Sequence, residues 1–196
     1  MIDLPALGTY IFVMSITPGP NNVMLTASGV NFGFRRTLPH MAGISFGFAA
    51  QAMLTSLGLG ALFMRAPQIQ TALAWIGAAY LAYLGWRLLG SAGVGQAESR
   101  QPLNAWESAG FQLVNPKAWV IAITVGVMFL PKSVDLAIEL PWVFAVLVAV
   151  NFPCLCVWTA FGSAMRGILE DPRRRLVFNA VMAALLVATG LMMVFG

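Results

Sequence analysis

Two interruptions and one cation are the residues of this chain best suited to chemistry. The first hydrophobic stretch is broken at Thr17-Pro18-Gly19-Pro20-Asn21-Asn22, and a later one at Asn115-Pro116-Lys117. Each proline removes a backbone donor and crowds the preceding turn; glycine adds freedom. A helix broken this way presents a half-helix C-terminus and a half-helix N-terminus. Freed carbonyls at the C-terminus suit an ammonium group or another cation. Freed N–H groups and the positive dipole at the N-terminus suit a carboxylate. Asn21 and Asn22 can cap the restarting helix or donate to a ligand. The alternative is a kinked helix whose freed groups are satisfied by its neighbours. Pro116 stands 98 positions after Pro18, half of the 196-residue length. Interrupted apolar spans at matching positions in two halves point to a transporter binding site.

Lys117 is the sharpest single residue. It lies near the middle of its apolar segment, about 12 Å from the nearer end at 1.5 Å per residue. From there a lysine stem falls short of the interface, and ionisable residues inside a membrane are rare and usually functional. Three roles fit: a counter-charge for a substrate carboxylate, a proton carrier, or a donor that caps carbonyls at the break. Gln51 and Asn151 are mid-span amides that can line a polar path or bond between helices. The candidate substrate-binding set is therefore Pro18, Gly19, Pro20, Asn21, Asn22, Asn115, Pro116, Lys117, Gln51 and Asn151.

Several chemistries lack their residues. The acids Asp3, Glu98, Glu107, Asp135, Glu139, Glu170 and Asp171 fall in loops or at segment edges. The single histidine, His40, sits at the edge of the second segment beside Pro39 and reads as interfacial. No carboxylate–histidine cluster has metal-ligand spacing, and no Gly-rich nucleotide loop is present. Nor is there a Ser-His-Asp or Cys-His nucleophile arrangement. The expectation is a chain with no cofactor and no bound metal, and not an enzyme. Cys154 and Cys156 are two apart in an apolar stretch, so on a helix they point to different faces and read as free buried thiols.

The elements that must position these residues are membrane spans. The chain is 59% hydrophobic and 9% charged, with a mean hydropathy of +0.81, whereas a soluble domain carries about a quarter charged residues. A span needs about 20 apolar residues. Six segments qualify: Leu4 to Val30, Leu38 to Met64, Gln68 to Leu89, Ala109 to Leu130, Leu140 to Met165 and Leu176 to Phe195. Arg35-Arg36, Arg65-Ala66-Pro67, Pro131-Lys132 and Asp171 to Arg175 mark turns. The polar connector Gly90 to Glu107 links two halves, about 1–89 and 108–196, of a single integral membrane domain. The first segment reads as a retained span, not as a cleaved signal peptide.

The odd-numbered loops carry Arg35, Arg36, Arg87, Arg100, Arg166, Arg173, Arg174 and Arg175, against Arg65 and Lys132 on the other side. That bias places the odd loops in the cytoplasm and both termini outside. The net charge of +4 is thus a topology signal and not a sign of nucleic-acid binding. Three spans per half is an odd number, so the halves form inverted repeats. The predicted fold is an all-α membrane protein of six transmembrane helices in two inverted three-helix repeats, with helices 1 and 4 broken. Gln51 with Asn151, and Phe63-Met64-Arg65 with Ala164-Met165-Arg166, repeat at similar offsets. Gly43 and Gly47 form a small-residue face that fits packing inside one protomer or a homodimer contact. Trp106, Trp142, Trp158, Tyr80 and Tyr83 fit interfacial anchors among membrane lipid.

The same residues carry a family resemblance. Thr17-Pro18-Gly19-Pro20-Asn21-Asn22, Gly33-Phe34-Arg35-Arg36 and Ala42-Gly43-Ile44-Ser45-Phe46-Gly47 resemble the first half of the LysE/RhtB amino-acid exporters. Gly77-Ala78-Ala79-Tyr80-Leu81 with Trp86 continues the likeness. Gln112-Leu113-Val114-Asn115-Pro116-Lys117-Ala118-Trp119 looks like the family's second signature. The resemblance covers nearly the whole chain, and its first half looks nearest to the cysteine and O-acetylserine efflux branch. It implies export of small amino acids across a bacterial inner membrane, driven by proton motive force and therefore coupled to protons. Many members of the family carry a histidine near the position of Gln51, so proton handling here must differ. Two other readings share the topology. One is a thiol-redox conduit, which needs cysteines at the breaks; the other is a metal-ion exporter, which needs intramembrane acids or histidines.

Overall fold

The computed structural model describes residues 2–59, 65, 67–90, 101–130 and 135–195. Among these the chain is helical with irregular connections, and no strand occurs. The helices are α1 (Leu4–Ile16), α2 (Pro20–Phe32), α3 (Phe34–Leu54), α4 (Pro67–Leu89), α5 (Ala105–Gln112), α6 (Pro116–Thr124), α7 (Leu136–Met165) and α8 (Pro172–Phe195). Single π-helical turns, Thr55–Leu59 and Val125–Phe129, extend α3 and α6 and lie against each other. The Pro131-Lys132 turn, Arg100 with most of the Gly90 to Glu107 connector, and Phe63-Met64 lie outside the described residues.

The starts of α5, α7 and α8 fall earlier than hydropathy suggests, because polar caps begin them. Asp3, Asp135 and Asp171 each accept a first-turn backbone N–H, at 2.8 to 3.0 Å. Asn104 and Glu107 form a reciprocal capping box, so α5 begins at Ala105 inside the expected connector. Such caps satisfy donors that a helix leaves free. They also explain where most of the acids stand. Arg35 and Arg36 do not form a turn, since both lie in the first turn of α3. Gly33 alone reverses the chain there, at φ +82°, a conformation that favours glycine.

Among the described residues four helices are long and apolar enough to cross a membrane: α3 with its π turn, α4, α7 and α8. The α5–α6 pair passes the same test only when joined across a 66° bend. The first expected span divides differently. α1 is a shorter apolar helix, and α2 carries Asn21, Asn22, Thr26, Ser28 and Asn31. These polar residues survive because nearly all of α2 is buried by protein.

Glycines set the closest crossings. A Cβ on Gly29 would meet the Thr159 carbonyl, and one on Gly162 the Thr26 carbonyl, so α2 and α7 touch backbone to backbone. Gly43 and Gly47 seat α3 on Ala105 and Ala109 of α5. The small-residue face is therefore filled within the protomer. Both crossings join the first half of the chain to the second, so the halves interleave. α4 and α8 pack along one another, with Gly190 against Ala78 and Gly85 against Ala183. A core of Leu7, Ile11, Phe48, Ala122, Val125, Val143 and Leu147 closes over one side of the two chain breaks.

Candidate functional site

The two breaks meet. Lys117, half-buried in the first turn of α6, extends its ammonium group to the end of α1. There Nζ donates to the Thr17 carbonyl at 2.9 Å, to Thr17 Oγ1 at 3.0 Å and to the Pro18 carbonyl at 3.3 Å. The electrostatics favour this reach. A cation is unfavourable at the N-terminus of its own helix and favourable at the C-terminus of another. Of the three roles open to Lys117, this geometry displays the capping of freed carbonyls.

The prolines start half-helices. Pro20 and Pro116 each take the first helical position, where a missing N–H is no loss. Asn115 caps α6, its Oδ1 accepting from Lys117 N at 3.1 Å. Gly19 precedes α2 and supplies no side-chain cap, so that N-terminus is left without one. The Pro18-Gly19 link thus sets the negative end of α1 beside the positive end of α2.

The asparagines serve both ends. Asn22 donates to the carbonyls of Ser15 at 3.0 Å and Thr17 at 2.8 Å, which ties the restarting helix to the end of α1. Asn21 and Gln112 exchange two hydrogen bonds, at 2.9 and 3.2 Å, between α2 and the end of α5. Asn151 on α7 donates to Ser15 Oγ at 2.9 Å. Its Oδ1 is buried with no partner among the described residues. Trp158 donates to the Ile16 carbonyl at 3.3 Å, so this indole completes the end of α1.

These groups line a cavity of about 30 Å³, with Phe48 and Leu155 as apolar walls. That is room for a water or two, so an amino acid enters only if the surrounding helices or the Lys117 side chain move. Gly19, Pro20, Asn21, Asn22, Asn115, Lys117 and Asn151 all line it. Pro18 contributes its carbonyl to Lys117. Pro116 faces a separate groove beside Trp119. Gln51 is not in the lining; it is 3% exposed, and neither amide atom has a partner among the described residues.

Sequence reasoning missed Ser15 and Gln112 as members of this site. Each is a polar residue about one helical turn before a proline break, and that placement was the available signal. Among the described residues no three His, Cys, Asp or Glu side chains cluster. His40 is only 2% exposed, buried by the surrounding protein.

A family model described as LysE type translocator matches residues 12–196. The chain belongs to that family. Relatives of this translocator include proteins named cysteine/O-acetylserine efflux protein. The one from Salmonella typhimurium is 31% identical over 189 residues, 94% of this chain and 93% of the relative. That from Shigella flexneri serotype 5b is 32% identical over 192 residues, 95% and 94% of the two chains. That from Escherichia coli O1:K1 is 32% identical over 190 residues, 94% and 93%. No solved structure matches the translocator. With several helices long and apolar enough to cross a membrane, it is a multi-pass membrane protein.

Proposed function

We propose that this translocator exports small neutral or sulfur-containing amino acids, such as cysteine or O-acetylserine, across a bacterial inner membrane. The observation that carries the reading is the Lys117 ammonium on the Thr17 and Pro18 carbonyls. An α-amino acid is a zwitterion, and the paired helix ends at Pro18-Gly19 offer complementary charges a few ångströms apart. The substrate ammonium replaces that of Lys117 on the freed carbonyls. The substrate carboxylate then lies at the uncapped start of α2, within reach of the displaced lysine. Asn21, Asn22, Asn115 and Asn151 hold the frame, and the unpartnered Asn151 Oδ1 accepts from the substrate. Gln51 lies one helical turn from Phe48 and serves the path beyond the cavity.

The arrangement needs no buried acid, which favours substrates without a second positive charge. Lys117 is also the ionisable group best placed to couple transport to the proton motive force. In this reading α1–α2 and α5–α6 are the broken helices of two inverted three-span repeats. The arginine-rich ends face the cytoplasm, and both termini lie outside.

The test is the extracellular amino-acid profile of cells that overproduce the protein and are fed dipeptides, measured by mass spectrometry. The control is the Pro18→Ala/Asn21→Ala/Lys117→Ala variant at equal membrane level. A rise in cysteine, O-acetylserine or another small amino acid, absent in the variant, is expected. An unchanged profile, or an equal rise in the variant, contradicts the proposal.

A further inference from the structure

The first turn of α8 carries three arginines in a row, Arg173, Arg174 and Arg175. This is an unfavourable place for cations, because the N-terminal end of a helix is itself positive. Arg175 is compensated: it donates to Asn31 Oδ1 at 3.0 Å, in the last turn of α2, where the helix dipole is negative. Arg173 and Arg174 are not. Both are exposed, and neither guanidinium has a hydrogen bond or ion pair among the described residues.

The neighbouring acids do not answer them. Asp171 Oδ1 accepts from the backbone N–H groups of these same two residues, at 2.8 and 3.0 Å. The start of the helix is therefore already capped, and the two guanidinia are what remains to be met. Glu170, exposed in the turn before α8, makes no ion pair with either among the described residues.

Beside the pair runs an open groove of about 440 Å³. Arg173 and Arg174 line it together with Leu169, Val177 and Phe178. Leu169 is buried and Phe178 half-buried, while Val177 is 62% exposed. The groove thus joins two free cations to an apolar surface.

Its place in the bundle says which ligand has both chemistries. α8 is one of the helices long and apolar enough to cross a membrane, and its 24 residues span about 36 Å against about 30 Å of hydrocarbon. Its ends therefore stand among headgroups. Leu176, Val177 and Phe178 follow the arginines directly, so the order along the helix is charge first and apolar surface next. A phospholipid runs in the same order, from phosphate to acyl chain. Guanidinium groups match phosphate oxygens in charge and in bidentate geometry, and basic pockets at the edge of a span suit anionic headgroups. A free phosphate would leave the apolar part of the groove unused.

We propose that the groove formed by Arg173, Arg174 and Phe178 binds an anionic phospholipid, with the phosphate on the two guanidinia and an acyl chain along Leu169, Val177 and Phe178. The site is independent of what the translocator carries.

The test is native mass spectrometry of the purified full-length protein, titrated with phosphatidylglycerol or phosphatidylcholine, with and without excess inorganic phosphate. Arg173→Gln/Arg174→Gln is compared with Arg35→Gln/Arg36→Gln, which removes the same charge from the first turn of α3. Size exclusion and circular dichroism confirm that both variants are folded. The expected result is saturable retention of phosphatidylglycerol over phosphatidylcholine, undisturbed by inorganic phosphate. Half-saturation rises about tenfold or more in Arg173→Gln/Arg174→Gln, as loss of charge-assisted hydrogen bonds implies, and stays near wild type in Arg35→Gln/Arg36→Gln. Equal retention of the two lipids, displacement by inorganic phosphate, wild-type binding by Arg173→Gln/Arg174→Gln, or equal weakening in both variants overturns the site. The last outcome would show only the general field of the arginine-rich end.

Discussion

The side chain of Lys117 lies over Gly19. A Cβ at residue 19 would sit 3.1 Å from Lys117 Cδ and 3.2 Å from Nζ. The two residues are 98 positions apart, the same offset as the two prolines that follow Thr17 and Asn115. Equivalent points of the two breaks are therefore in contact. Gly19 has extended backbone at φ −171°, so its requirement for glycine is space for the lysine and not conformation.

Gly19→Ala consequently leaves the backbone unstrained but crowds the tip of the lysine, which must shift against the Thr17 and Pro18 carbonyls. Normal membrane insertion with export reduced about tenfold is expected, the equivalent of one charge-assisted hydrogen bond. Export normalised to immunoblotted membrane protein measures it. Wild-type export would mean that the lysine's resting place is irrelevant.

Asn22 bridges the Ser15 and Thr17 carbonyls from a buried position. Asn22→Ala leaves both without this donor, a cost of about 2 kcal/mol. Asn22→Asp is worse, since it turns a carboxylate toward the same carbonyls. Thermal unfolding of the detergent-solubilised protein should fall in the order wild type, alanine, aspartate. Equal melting points would show that the break is stable without its clamp.

The α2–α7 crossing allows a structural prediction with an internal control. Gly162→Ala drives a methyl into the Thr26 carbonyl, and overpacking of this kind costs about 1–3 kcal/mol or more. Gly110→Ala meets nothing within 4 Å and gains helix propensity. Loss of folded protein in the first and none in the second is expected by fluorescence-detected size exclusion. Equal yields would mean that the two halves are not locked together at this contact.

The breaks were legible in the sequence because proline and glycine act on their own backbone, wherever the rest of the fold goes. The helix starts were misjudged because hydropathy ignores capping: Asp135 starts α7 at Leu136 and not at Leu140. Asn21 and Gln112 could not be paired from sequence, since their partnership spans 91 positions and depends on how α2 meets α5. α2 resisted hydropathy for a related reason. Its polar residues are buried by protein, so composition says little about where it lies. The burial of His40 was not legible beside Pro39, because Pro39 is accommodated inside α3 and the imidazole is buried by other helices.

Neither cysteine is at a break. Cys154 is buried and Cys156 half-buried, both unpaired on α7. A Cys154→Ala/Cys156→Ala variant should export at the wild-type rate, measured in the same cells. Abolished transport in a folded variant would return the thiol-redox reading.

The most direct test of the site is counterflow of radiolabelled O-acetylserine in proteoliposomes that hold the purified protein, wild type or Lys117→Gln. Glutamine keeps a hydrogen-bond donor but removes the charge that rests on Thr17 and Pro18. Exchange by the wild type and a loss of about tenfold or more in the variant, with both proteins folded, is the expected result. Equal exchange by the two proteins would contradict a transport site at the junction of the helix breaks.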